Sequence, residues 1–81
     1  MPKPKALGRT LGDAVIGETV SIAGYADRKP ARRLISLGLV PGASITVVRR
    51  APLGDPTEYA VRGSRIAIRR SEASTILVVD P

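Results

Sequence analysis

Neither histidine nor cysteine occurs in the 81 residues. That removes the Ser–His and Cys–His nucleophile pairs of covalent catalysis. It also removes the usual ligands of a zinc site and the imidazole that suits iron. What remains for ligand chemistry is carboxylate oxygen. Asp55 and Glu58 stand three apart, and Glu72 could approach them. A hard cation takes about six oxygens, so three carboxylates could only seed a site. The simpler reading has Asp55 holding its own turn through the backbone and Glu58 in water. We therefore expect no metal and no cofactor. The stretch "GLVPG" is a helix ending and a turn, and no G-x-x-x-x-G-K-[ST] phosphate loop is present. "RRSEA" could take a phosphate at the N-terminus of a short helix. The structural alternative has Ser71 capping that helix and Glu72 at the positive end of its dipole. No catalytic set emerges, and an enzyme is not expected.

Charge is the second source of chemistry. Thirteen Lys and Arg oppose seven Asp and Glu, giving a net charge of +6 and a pI near 10.8. Such a chain suits a nucleic acid, an anionic membrane surface or an acidic protein partner. The basic residues come mostly as pairs: Arg28-Lys29, Arg32-Arg33, Arg49-Arg50 and Arg69-Arg70. Binding of single strands also wants stacking aromatics, and only Tyr25 and Tyr59 are available. Strand alternation would send one of Arg69 and Arg70 outward. An inward Arg70 would need a carboxylate, with Glu72 or Asp55 the candidates.

These residues must be held by short elements. "MPKPKA", residues 1–6, predicts a flexible tail, and residues 7–81 a single small domain. "TLGDAVIGE" predicts a turn or short helix tucking Leu11 under the core, with Gly17 opening the first strand. "ETVSIAGY" alternates, with Val20 and Ile22 on one face. "DRKPARRLISLGLVPG" is the one convincing helix. Asp27 can cap it and Pro30 is tolerated in its first turn. Ala31, Leu34 and Ile35 form the expected buried stripe, while Arg32, Arg33 and Ser36 face away. Gly38 suits the left-handed position after the helix, with Leu39 placed to contact Leu34. Pro41-Gly42 predicts a type II turn.

Three strand-like runs follow. "SITVVRR" points Ile45 and Val47 inward, and "TEYAV" points Tyr59 and Val61 inward. "SRIAIRR" puts Ile66 and Ile68 inside and Arg65, Ala67 and Arg69 outside. Arg62-Gly63 reads as a two-residue hairpin turn. "TILVV", apolar on both faces, should be a central or closing strand. The sum is an all-β fold of five short strands with one inserted α-helix, and a small barrel of the SH3-like kind is the economical closure. No run approaches the ~20 apolar residues of a membrane span, and "MPKPKALG" lacks an apolar signal core. We expect a soluble, cytoplasmic protein.

Three motifs carry a family resemblance: R-R-L-x-x-L-G-L-x-P-G at 32–42, A-P-L-G-D-P at 51–56 and I-A-I-R-R-x-E-A at 66–73. In this order and spacing the chain resembles the ferrous iron transport protein A family, FeoA, from about Leu7 to Val79. The resemblance implies an SH3-like barrel with an inserted helix, in a cytoplasmic protein of ferrous iron transport. It implies work with FeoB, the membrane ferrous iron permease that carries a cytoplasmic GTP-binding domain. The same kind of barrel closes iron- and manganese-dependent repressors, which links the family to transition-metal biology.

The loop "APLGDP" then becomes the expected partner-binding site. A hairpin needs only two residues to reverse, and this one spends six. Leu53 would be an apolar anchor at the tip, framed by Pro52 and Pro56, which lower the ordering cost of binding. It could otherwise fold down as a plug over the barrel. Gly54 and Asp55 shape the loop. Asp55, Arg69 and Glu72 are candidates for polar contacts or for holding it. The competing expectations are a basic nucleic-acid-binding barrel, an accessory domain akin to that of the repressors, and a module that self-associates through strand edges.

Overall fold

The computed structural model describes residues 9–81, so the tail expected at 1–6 lies outside the described residues. A 3-10 turn at Leu11–Asp13 leads into β1 (Thr19–Tyr25), then α1 (Arg28–Ser36), β2 (Ser44–Arg50) and β3 (Thr57–Val61). β4 (Ser64–Ile68), α2 (Arg70–Ala73) and β5 (Ile76–Val79) complete the chain. The strands form one antiparallel sheet in the order β4-β3-β2-β1-β5. β5 therefore lies at one edge of the sheet, with β4 at the other, and not in the central or closing position expected of it. It pairs with β1 on one side, and a bridge from Thr10 to Leu77 covers part of the other.

Alternation along the strands builds the core. Val20 and Ile22, Ile45 and Val47, Tyr59 and Val61, Ile68, and Ile76 and Val78 are all buried in one cluster. Residues from both ends of the sheet, Ile68 and Ile76, share that cluster, so the sheet curls around it in the SH3-like manner. Two irregularities aid the curl. The register shifts between Ile22 and Gly24 and between Val47 and Arg49, and an extra residue of this kind bends a strand and raises its twist. Leu11 and Ala14 close one side of the core, as the opening segment predicts for Leu11. Ile66 is only half-buried against the cluster.

α1 begins where Asp27 accepts the Lys29 amide at 3.0 Å, an N-cap satisfying one of the free amides of the first turn. It ends in a Schellman motif. The Leu39 amide donates to the Leu34 carbonyl and the Gly38 amide to the Ile35 carbonyl, at 3.1 and 2.9 Å. Gly38 has φ +98°, a region that L side chains avoid. Leu34 and Leu39 are fully buried. Val40 to Ala43 then form the expected turn, with the Ala43 amide on the Val40 carbonyl and Gly42 at φ +91°. Tyr25 donates its hydroxyl to the Leu39 carbonyl and ties β1 to this ending.

Three further expectations need correction. Ile35 is 45% exposed and not part of a buried stripe. A helix of two turns touches a strongly curved sheet along a narrow line, which Ala31 and Leu34 occupy. Ser71 does not cap α2, because the helix starts at Arg70, two residues earlier than a Ser71 cap would set it, and Arg69 is the capping position. Arg70 does not lean inward either. Its side chain is exposed, and its backbone amide rather than its guanidinium meets Asp55.

Candidate functional site: the 51–56 loop and its arginine-lined flank

The loop between β2 and β3 is built from two nested closures. The Ala51 amide donates to the Pro56 carbonyl at 3.0 Å and extends the ladder by one step. Inside it, the Gly54 amide donates to the Ala51 carbonyl at 2.7 Å. That makes Ala51–Gly54 a β-turn with Pro52 at its second position and glycine at its fourth, the placement such turns favour. Gly54 takes φ +91°, and the Asp55–Pro56 peptide is cis. Leu53 is left at the turn's corner and is 97% exposed. The plug alternative is thereby excluded, since Leu53 covers nothing.

Asp55 turns back toward the protein. Its Oδ1 accepts the amide of Arg70, the first residue of α2, at 2.8 Å. A helix start leaves its first amides without intrahelical partners, and this carboxylate supplies one from across the fold. The Arg69 amide is taken by Glu72 Oε1 at 3.4 Å, and Glu72 Oε2 accepts from Arg33 of α1 at 2.6 Å. Loop, α1 and α2 are thus joined through two carboxylates. The structure brings Asp55, Pro56, Arg69 and Glu72 together on this flank and leaves Leu53 standing away from them.

Glu58 lies between two arginines. Arg49 donates from Nε at 2.7 Å, and Arg65 stands at 3.6 Å. The Arg49 hydrogen bond is the main reason that the Glu58 carboxyl is held below the usual glutamate range. The three carboxylates considered as a cation seed therefore go to separate nitrogen partners. Among the described residues, no three Asp or Glu side chains come together to hold a metal ion.

Pro56 and Ala67 are shared by two adjoining hollows on this face. One, of about 600 Å³, reaches to Arg49 and Arg65; the other, of about 500 Å³, reaches to Arg33, Arg69 and Glu72. In the sequence Arg33 and Arg49 stand out only as members of basic pairs, and Arg65 and Ala67 only as outward strand positions. The outward alternation of Arg65, Ala67 and Arg69 was the available signal; the register that sets Arg49 beside them was not readable. The tyrosines offer no stacking platform, since Tyr59 is 2% exposed and Tyr25 is half-buried and bonded to Leu39.

Fold and loop define a small SH3-like β-domain whose conspicuous surface feature is a stiff, leucine-tipped hairpin loop. Residues 9–80 match the FeoA domain, and the chain belongs to the FeoA family. Its fold matches an FeoA-like protein from Clostridium acetobutylicum with a TM-score of 0.81 at 32% identity, covering 88% of this chain and 84% of that one. It also matches the zinc-complexed FeoA of Stenotrophomonas maltophilia, described as a prokaryotic SH3 domain protein, with a TM-score of 0.77 at 31% identity. That match covers 86% of this chain and 88% of the other. A curated relative from Porphyromonas gingivalis, an Fe(2+) transport protein A/Fe(2+) transporter FeoB fusion, is 40% identical over 47 residues. The matched stretch is 58% of this chain and only 6% of that protein's length.

Proposed function

We propose that this chain is a non-catalytic, cytoplasmic accessory protein of ferrous iron uptake that binds a FeoB-like permease and modulates its assembly or activity. The observation that carries the reading is the fusion in the Porphyromonas relative, in which an FeoA unit and FeoB share one polypeptide. Covalent linkage makes their encounter intramolecular and raises effective concentration. An FeoA unit without that tether would need a binding surface in its place.

The 51–56 loop suits that task. Leu53 offers a large apolar side chain almost wholly to solvent. Its turn is fixed by Pro52, the Gly54–Ala51 hydrogen bond and the Asp55–Arg70 bond. A loop ordered beforehand loses less entropy on binding, and one apolar anchor in a partner pocket can dominate an interface. Asp55, Arg69 and Glu72 hold the loop's base and border the contact. The basic face of α1, with Arg28, Lys29 and Arg32 exposed beside Ile35 and Leu37, supports a position against an anionic inner leaflet. A pull-down with the permease's soluble GTP-binding domain, with and without guanine nucleotide, tests the reading. Retention in at least one state is expected; absence of retention in both counts against it.

A further inference from the structure

The register places Arg49 of β2 opposite Glu58 of β3, and Glu58 opposite Ala67 of β4. These three residues form one row across the outer face of the sheet. Arg65 and Arg69 lie two residues either side of Ala67, so period-two alternation turns both toward the same face. The hollows beside the loop meet over this row, because Pro56 and Ala67 line both. We read the two adjoining hollows, which share Ala67 and Pro56 and are lined largely by arginine, as one groove beside the loop.

Its charge is one-sided. Arg33, Arg49, Arg65 and Arg69 line the two hollows against Glu58 and Glu72, while Arg50, which also borders one, turns its guanidinium to the Ala14 carbonyl at 3.0 Å. The two glutamates display what these arginines accept: Arg49 and Arg33 each hold a carboxylate at 2.6–2.7 Å. Capacity remains. Arg49 and Arg65 side chains are 74% and 63% exposed, and Arg69 makes no ion pair among the described residues. A guanidinium fork can take a second carboxylate through its free N–H groups.

We propose that this groove receives an extended acidic peptide segment, with Asp or Glu side chains on Arg49, Arg65 and Arg69 and small or apolar residues over Ala67 and Pro56. The proposal deepens the docking reading above and rests on it for the identity of the partner, but on different residues from Leu53. Charge complementarity selects the acidic chain. A single-stranded nucleic acid would look for aromatic faces, and no aromatic lines either hollow. A bilayer presents a broad surface that does not enter a groove beside the loop.

The test is an amide chemical-shift titration of the full chain with a short peptide alternating glutamate and leucine. The same peptide with lysine for glutamate is the control. Shifts are expected to centre on Glu58, Arg65, Ala67 and Arg69, to saturate, and to shrink with added salt. Ala67→Glu, at an exposed position in the groove, should weaken the peptide at least tenfold. Arg65→Glu should do the same if Ala67→Glu does not fold. The proposal is overturned by absent shifts, by shifts centred on α1, by equal binding of the lysine peptide, or by undiminished binding to folded Ala67→Glu or Arg65→Glu. Stronger binding of a single-stranded oligonucleotide on the same residues also overturns it, in favour of nucleic acid. If the peptide fails while Leu53→Asp still abolishes permease binding, the groove falls and the loop reading stands.

Discussion

Replacing Asp55 by alanine should loosen the loop from α2 with little other change. Its Oδ1 accepts the Arg70 amide at 2.8 Å, while the neighbouring Arg69 amide has the longer contact to Glu72 at 3.4 Å. α2 has only four residues, so it cannot propagate helix far enough to offset a poor start. Loss of a side-chain acceptor at a helix start costs about 0.5–2 kcal/mol, typically ~1. In a domain of this size 1 kcal/mol moves the melting temperature by roughly 4–8 °C. Thermal unfolding of Asp55→Ala should therefore show a fall of about that size. Asp55→Asn keeps an oxygen acceptor and should lose less. Hydrogen exchange at the Arg70 amide should accelerate in the alanine variant specifically. An Asp55→Ala protein with unchanged melting and unchanged Arg70 exchange would refute the proposed link between loop and helix.

Leu34→Ala removes a fully buried side chain from the contact of α1 with the sheet. Such changes cost about 2–5 kcal/mol, a large share of the roughly 4–12 kcal/mol expected for the domain, so denaturant unfolding should show a large fall in midpoint. Arg9 bonds Glu18 at 2.5 Å, and that bond, aided by the Val15 amide, holds the Glu18 carboxyl below its usual range. A depressed folded-state value means that the stabilisation is present above about pH 4.3, the ordinary glutamate value, and is lost as pH falls through the folded-state value. Stability should decline in that acid window, and Glu18→Gln should decline less steeply; parallel pH profiles would contradict the assignment. Sedimentation with anionic vesicles should retain the wild-type chain at low salt and lose it when Arg28, Lys29 and Arg32 are changed to glutamate. Equal retention would remove α1 from the membrane-facing role.

The strands and the helix were legible because their signals are local. Val20 and Ile22, Ile45 and Val47, and Tyr59 and Val61 alternate over short runs, and all six are buried as that pattern requires. Asp27, Gly38 and Pro41-Gly42 act through bonds two to five residues away, so the cap, the Schellman ending and the turn could be read from order alone. Arg62-Gly63 is similar, with both residues at positive φ as a tight hairpin turn demands. Ile35 failed because helical periodicity shows which residues share a face, while the width of the surface packed against it depends on sheet curvature. Ser71 failed because the Arg70 amide at the start of α2 is taken by Asp55, fifteen residues away, a contact that leaves no local signal. The outward stance of Leu53 was one of two readings until the turn geometry chose between them. The groove needed the bulge between Val47 and Arg49, which places Arg49 opposite Glu58 and leaves no mark in composition.

The central claim, that the leucine-tipped loop is the contact with the permease, is tested most directly by titrating wild-type and Leu53→Asp chains against the permease's GTP-binding domain. Leu53 is almost fully exposed, so the substitution should leave unfolding within about 0.5 kcal/mol of wild type. Loss of an anchor contact is worth about 2 kcal/mol or more, roughly a thirtyfold change in affinity, and an introduced carboxylate adds the cost of burying charge in an apolar pocket. The account predicts a folded variant whose binding is weakened at least that far. A folded Leu53→Asp protein that binds the domain as tightly as wild type would contradict it.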